Sequence, residues 1–503
     1  MAVSTPVVAD EEPTLAQPAG GASRWLPWLG PLAVTLIGGL LRFIQLGRPD
    51  KIVFDETYYI KDALALLRFG HEVNAVDGAD QLLLDSNGDP WSVPLFLDSA
   101  SFIVHPPIGK WTIALGELTF GATPFGWRFM VALLGTLSVL LLARAVWLLT
   151  DNWVWGSVAG LLLAIDGMAI VMSRTAVLDG VLAFFVLAAF LALVKDRLWV
   201  RARDLPVSAW SWWRPYRYVA GIMLGLACAV KWSGLWYLVA FGLMTVLWEV
   251  GRRYRAGVSG LVTLIKDGLP AIVAIVAVAV VVYLLSWAGW FAGDGGYNRD
   301  WAGDGPLAAL QSLLHYHSEM WNFHTTLTSE HSYQSPAWGW LIQARPTSFF
   351  FESFGSDACH SGTCAQEVIA LGNPIIWWAA ILALLHQTWR WFAVRDWRSG
   401  AVVLGVVAGW APWLLYPDRT IFAFYSVVLV PFSIAALTLS LMQISNGRMP
   451  ASRPDSGRVL RLVIVALFLL GCVVLSWYFY PIWSGTVIDN ADWSSRMWFS
   501  SWV

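Results

Sequence analysis

The sequence predicts an all-α integral membrane protein, and three observations carry that reading. The 503 residues are 57% hydrophobic and only 13% charged, against about 25% charged in soluble domains. The apolar residues come in long unbroken runs, unlike the short alternating segments of a transmembrane barrel. Lipid satisfies no backbone group, so runs of that length must be helices.

Residues 1–23 are acidic and rich in Ala, Pro and Gly. They read as a disordered tail. Their charge is wrong for a signal peptide, so the first apolar run stays as an anchor. Candidate spans follow at 27–47, 127–149, 153–172, 176–195, 218–235, 236–250, 268–288, 371–391, 399–416, 420–443 and 459–480, about eleven by the length a bilayer requires. The closely spaced pairs at 153–195 and 218–250 are open to merging or shortening. The predicted organisation is a tail (1–23), an N-terminal membrane module (24–288) with a long loop at 48–126, a second long loop (289–370) and a C-terminal module (371–503).

Basic residues orient these spans. Clusters at Lys195–Arg217, Arg252–Lys266, Arg390–Arg398 and Arg448–Arg461 fall on one side in this count, which the positive-inside rule makes cytoplasmic. The N-terminus is then inside, and the C-terminus and both long loops, with interfacial helices, face out. A net charge of −2 and scattered basic clusters argue against nucleic acid. Cys359 and Cys364 lie in the second loop, where an oxidising compartment lets them pair. A zinc site using His360 fits their spacing less well. Cys228 and Cys472 lie inside spans and read as small apolar residues.

Ionisable groups held against a membrane usually have a task. Asp55-Glu56 follows the first span. His105 and Lys110 sit in the first loop, Arg174 and Asp179 at the turn near 175, Lys231-Trp232 at the outer end of a span, and Arg419 at the mouth of another. Cations at headgroup depth suit a phosphate, and a nearby carboxylate can take a proton from an attacking hydroxyl. Together they describe group transfer from a phosphate-linked lipid to a hydroxyl. Plainer readings exist for each: Lys231 snorkelling, Arg174 pairing with Asp179, His105 as a loop residue, Asp55 as a helix N-cap. His315, His317, His324 and His331 read as polar faces of interfacial helices rather than a metal cluster.

At five places the chain resembles the protein O-mannosyltransferases of the GT-C class of membrane glycosyltransferases. These are Phe54-Asp55-Glu56-Thr57-Tyr58-Tyr59, His105-Pro106-Pro107-Ile108-Gly109-Lys110, Ser173–Asp179, Lys231–Leu235, and His331–Trp340 with Arg345-Pro346. The resemblance implies a GT-C fold and an inverting transferase. Its donor would be polyprenyl-phosphate-mannose and its acceptors Ser or Thr of exported proteins, in the plasma membrane. It implies that no metal or other cofactor is needed. Asp55 would be catalytic, with Glu56 assisting or organising. Arg174, Lys231, Arg419, His105 and Lys110 would hold the donor phosphate. Tyr58, Tyr59, Asp179, Trp232, His331, Tyr333, Trp338 and Arg345 would line the sugar and acceptor sites. The second loop, about 80 residues, is too short for the β-trefoil insert of the eukaryotic members, so the chain resembles the shorter bacterial forms. The alternatives are a GT-C transferase acting on a lipid or cell-wall glycan, a lipid-linked sugar transporter, or a scaffold.

Overall fold

The computed structural model describes residues 25–446 and 457–503. The expected tail, Arg448 and Arg453 lie outside the described residues. Among those residues, eight helices are long and apolar enough to cross a membrane: Leu26–Phe43, Pro124–Thr150, Leu178–Ala202, Gly234–Arg255, Gly260–Ser286, Trp397–Leu415, Ala423–Asn446 and Arg458–Ser484. The other three expected spans are also helical but differ in form. The segment at 153–172 is broken into Trp153–Ala164 and Gly167–Arg174, bent by 62°. Pro215–Val230 has 16 residues, short of the roughly 20 a full span needs, and Pro374–Trp389 passes at its end into a π-helix, Arg390–Val394. The Gly260–Ser286 helix passes through two wider π-turns, Leu264–Gly268 and Ile272–Ala277. They flank Pro270, which has no N–H to give the helical ladder.

The long loops add helices Glu56–Phe69, Ile108–Phe120 and Ala308–Thr326. They also add short antiparallel strands, so the all-α expectation holds for the spans but not for the loops. Val73–Ala75 pairs with Phe96–Ala100, and Thr347–Gly355 with Thr363–Ala370 and then Ile488–Asp489. Strand edges are tolerated there because these segments lie outside the lipid. Cys359 and Cys364 form a disulfide across the hairpin tip. The two loops meet: the Ile103 N–H donates to the Tyr316 hydroxyl at 3.0 Å, and His324 Nε2 donates to the Val104 carbonyl at 2.7 Å.

Two buried polar knots fix the bundle. Asp166 caps the Gly167–Arg174 helix through the Ala169 N–H (3.0 Å). Its other oxygen accepts from the Asn373 N–H (3.1 Å) and the Trp377 indole (2.8 Å), tying the two membrane modules together. At the end of the bundle away from the long loops, Arg214 bridges Asp196, Glu249 and Asp267, and Arg217 pairs with Asp267 at 2.9 Å. These arginines, expected in a cytoplasmic connection, are buried where three carboxylates converge on them. Losing one member of such a set leaves an uncompensated charge.

Candidate active site

Asp55 occupies the N-cap position of the Glu56–Phe69 helix, but its side chain makes no capping hydrogen bond. Phe54 just before it has φ 47°, in the left-handed region, a conformation a bulky residue adopts only when its surroundings impose it. Those surroundings are rings: Phe349 stacks on Phe54 at 4.8 Å, and Phe422, Phe424 and His331 meet its ring edge-on at 5.9, 5.6 and 6.1 Å.

Glu56 faces the other way. It is fully buried, and both its oxygens bind Arg128 at 2.8 Å. They also accept the Val53 N–H at 3.0 Å and the Ala176 N–H at 2.9 Å. Arg128 in turn donates to the carbonyls of Pro49 (2.9 Å) and Lys51 (2.8 Å). Glu56 therefore fastens the loop carrying Asp55 to the turn that leads into Asp179. Arg128 lies in an otherwise apolar span, where a lone charge is itself a signal, but nothing in the sequence names its partner.

Asp179 sits in the first turn of the Leu178–Ala202 helix and takes two hydrogen bonds from Lys231, at 3.0 and 2.8 Å. Lys231 caps the Pro215–Val230 helix and lies over the Tyr425 ring at 4.4 Å. Burial raises the Asp55 carboxyl to about 6; the Lys231 charge pulls it down and the Asp179 charge pushes it up. Asp55, Asp179 and Lys231 thus act on one another electrostatically, with Tyr59 beside both carboxylates.

Asp179 and Lys231 line a cavity of about 220 Å³, together with His105, Trp232, His324, Arg419 and Tyr425. Its remaining wall is mostly apolar, and Leu235, Trp236 and Val239 on that wall are 46%, 41% and 58% exposed. The cavity therefore joins a charged inner end to a greasy flank. Arg419 lies over Trp413 at 5.3 Å and donates through Nε to the His324 carbonyl at 2.8 Å. Its Nη1 is buried and has no hydrogen-bond partner among the described residues. A carbonyl can only accept, so the His324 proton is on Nε2 and its Nδ1 is free to accept from Arg419 Nη2 at 3.3 Å. Burial, with Arg419 and Lys231 nearby, lowers His324 to about 4. His105 stacks on it at 5.2 Å and is held neutral by burial and the same cations; its buried Nδ1 is also unpartnered.

The other expected site residues separate. Trp232 is in the lining and donates to the Tyr283 hydroxyl at 3.1 Å, which binds His317 Nε2 at 2.6 Å. Arg174 is absent from the lining. It is buried, and its guanidinium donates to the carbonyls of Arg42, Ile44 and Gln45 at 2.8–2.9 Å, closing the open end of the Leu26–Phe43 helix. Lys110 is likewise engaged, by Glu72 and by the His105 carbonyl at 3.1 Å. Both cations, expected at the donor phosphate, are hydrogen-bonded to buried acceptors. His331 borders Phe54, while Arg345 lies over Tyr333 at 5.1 Å and ties that loop to the Ser501 and Val503 carbonyls at 2.8 Å. Tyr58 and Trp338, each 64% exposed, stand outside the cavity. Of the expected phosphate-holding residues, Lys231, Arg419 and His105 line the cavity, and Tyr425, His324 and Trp413 join the lining unforeseen.

The family model for dolichyl-phosphate-mannose-protein mannosyltransferase matches residues 32–292, and that for the C-terminal four TMM region of protein-O-mannosyltransferase matches 309–502. The polyprenol-phosphate-mannose–protein mannosyltransferase of Mycobacterium tuberculosis is 33% identical over 517 residues, covering 96% of this chain and 93% of the relative. The protein of the same name from Corynebacterium glutamicum is 32% identical, covering 93% and 91%. In fold, the Saccharomyces cerevisiae Pmt1–Pmt2 complex bound to the sugar donor superposes with a TM-score of 0.73 at 15% identity, over 95% of this chain and 92% of that one. ArnT from Cupriavidus metallidurans bound to undecaprenyl phosphate gives 0.53 at 15% identity, over 93% and 77%. With family models matching across both membrane modules, this chain belongs to the protein O-mannosyltransferase family and has the GT-C membrane glycosyltransferase fold.

Proposed function

We propose that the chain moves mannose from a polyprenyl-phosphate-mannose carrier to Ser or Thr hydroxyls of exported proteins, inverting the anomeric centre. The observation that carries this reading is the cavity itself. Its apolar flank suits a prenyl tail, and its inner end offers Lys231 and the unpartnered Arg419 Nη1 to a phosphate; Asp55 stands behind the lining, coupled to Lys231 and Asp179.

The acceptor oxygen attacks the anomeric carbon from the face opposite the phosphate, and Asp55 takes its proton. The bond from that carbon to the phosphate oxygen breaks, and its electron pair leaves with the polyprenyl phosphate. Lys231 and Arg419 stabilise the charge that builds there. Two Lys231 protons already serve Asp179, so Arg419 supplies the more available donor. A neutral His105 suits a hydrogen bond to sugar or phosphate better than a further charge does. Glu56 organises rather than reacts, since its oxygens are fully occupied. In this scheme no metal takes part. The N-terminal module supplies the acid and Lys231, the C-terminal module Arg419, and the site opens to the outer side of the plasma membrane.

The test is incubation of the purified chain with labelled donor and, separately, a Ser/Thr peptide and a glycolipid acceptor. Label on peptide hydroxyls supports the reading; label only on the glycolipid points to glycan transfer and overturns it.

A further inference from the structure

We propose that the free edge of the Thr347–Gly355 strand docks the acceptor as an extended, unfolded segment that adds as one more strand and carries its hydroxyl toward Asp55. The inference rests on the transfer reading above and specifies how the acceptor is held.

The strand is outermost in its sheet. Among the described residues it pairs with Thr363–Ala370 alone, and that strand is covered on its far side by Ile488–Asp489. From Phe350 opposite Val368 to Gly355 opposite Thr363 the pairing is regular, which gives roughly 20 Å of straight edge. Exposed edges are normally blunted by Pro, Lys, bulges or cover, because they template pairing with other chains. Phe351–Gly355 has no Pro, no Lys and no bulge. Its one charge, Glu352, is tied to Lys51 at 3.0 Å, while Phe351 and Phe354 are 45% and 37% exposed. Three residues apart on a strand, these two rings project from opposite faces; Phe351 packs on Trp493 at 4.8 Å, so an added segment meets an aromatic pair on one face and Phe354 on the other.

The edge also leads to the right place. The register slips by one residue between Ser348 and Phe350, which leaves Phe349 as the extra residue of a bulge. Bulges re-aim side chains near active sites. This one accompanies Phe349 stacked on Phe54, the neighbour of Asp55, with an interplanar angle of 12°. A strand laid along Phe350–Gly355 would therefore lead to Phe349, whose ring packs on the residue before Asp55. Recognition through main-chain hydrogen bonds is tolerant of sequence, which suits an acceptor defined by a hydroxyl on an unfolded chain.

The experiment is an N-methyl scan of a fluorescent Ser/Thr peptide, read as binding to the full purified chain and, in parallel, as transfer from labelled donor. A strand directs alternate N–H groups to its neighbour. Methylation at every second position should therefore weaken binding and raise peptide KM tenfold or more with kcat unchanged, while the intervening positions have little effect. Phe354→Lys, which places a charge on the exposed edge, should raise peptide KM and leave donor KM alone. Transfer that continues with no two-residue periodicity, or a peptide that does not bind, overturns the docking. Periodic binding without any transfer upholds the docking and overturns the transfer reading instead.

Discussion

Arg128 holds Glu56 through two 2.8 Å hydrogen bonds, with neither side chain exposed to solvent. That pair anchors the loop on which Asp55 stands, so the two adjacent acids have opposite jobs. Removing one member of a buried pair costs about 3–5 kcal/mol. Arg128→Ala and Glu56→Ala should each lower thermal stability in detergent together with activity, and Asp55→Asn should leave the melting temperature near wild type. Equal losses of stability for all three variants would erase the distinction.

The pH profile offers a second check. Burial holds the Asp55 carboxyl at about 6, and a base must be ionised to accept a proton. Activity should be full above that value and fall about tenfold per unit below it. Asp179→Asn removes a negative charge that raises Asp55 and releases the Lys231 charge that lowers it, so the acid limb should move below pH 6. A limb that stays in place or moves upward contradicts the coupling.

Arg419 and Arg174 should part company. A hydrogen bond to a charged group is worth about 1.5–3 kcal/mol, so Arg419→Ala should raise donor KM roughly 10- to 100-fold with little change in stability. Arg174→Ala leaves several carbonyls unsatisfied, each at about 1–3 kcal/mol. It should lower stability, while the folded remainder keeps a normal donor KM. Steady-state kinetics with varied donor, beside a melting curve, distinguishes them.

Much of this was legible in the residues. Eleven apolar runs fall on helices, and the Asp55, Asp179, Lys231 and Trp232 motifs do gather at one end of the bundle. What the sequence could not give is which cations are free. Arg174 and Lys110 have the right type and sit within motif segments, yet their partners, the carbonyls of residues 42–45 and the Glu72 carboxylate, come from other segments. Arg128 stands out as a lone charge in an apolar helix, but its partner lies 72 positions away and does not show in the sequence. The loop strands were missed because periodicity is short there and pairing is long-range.

The central claim is that Asp55 takes the acceptor proton beside a donor held by Lys231 and Arg419. The most direct measurement is the rate of mannose transfer from polyprenyl-phosphate-mannose to a Ser/Thr peptide by reconstituted Asp55→Asn, with donor binding measured on the same sample. The account predicts a rate at least about 10²-fold below wild type with donor affinity retained; transfer within a few-fold of wild type would contradict it.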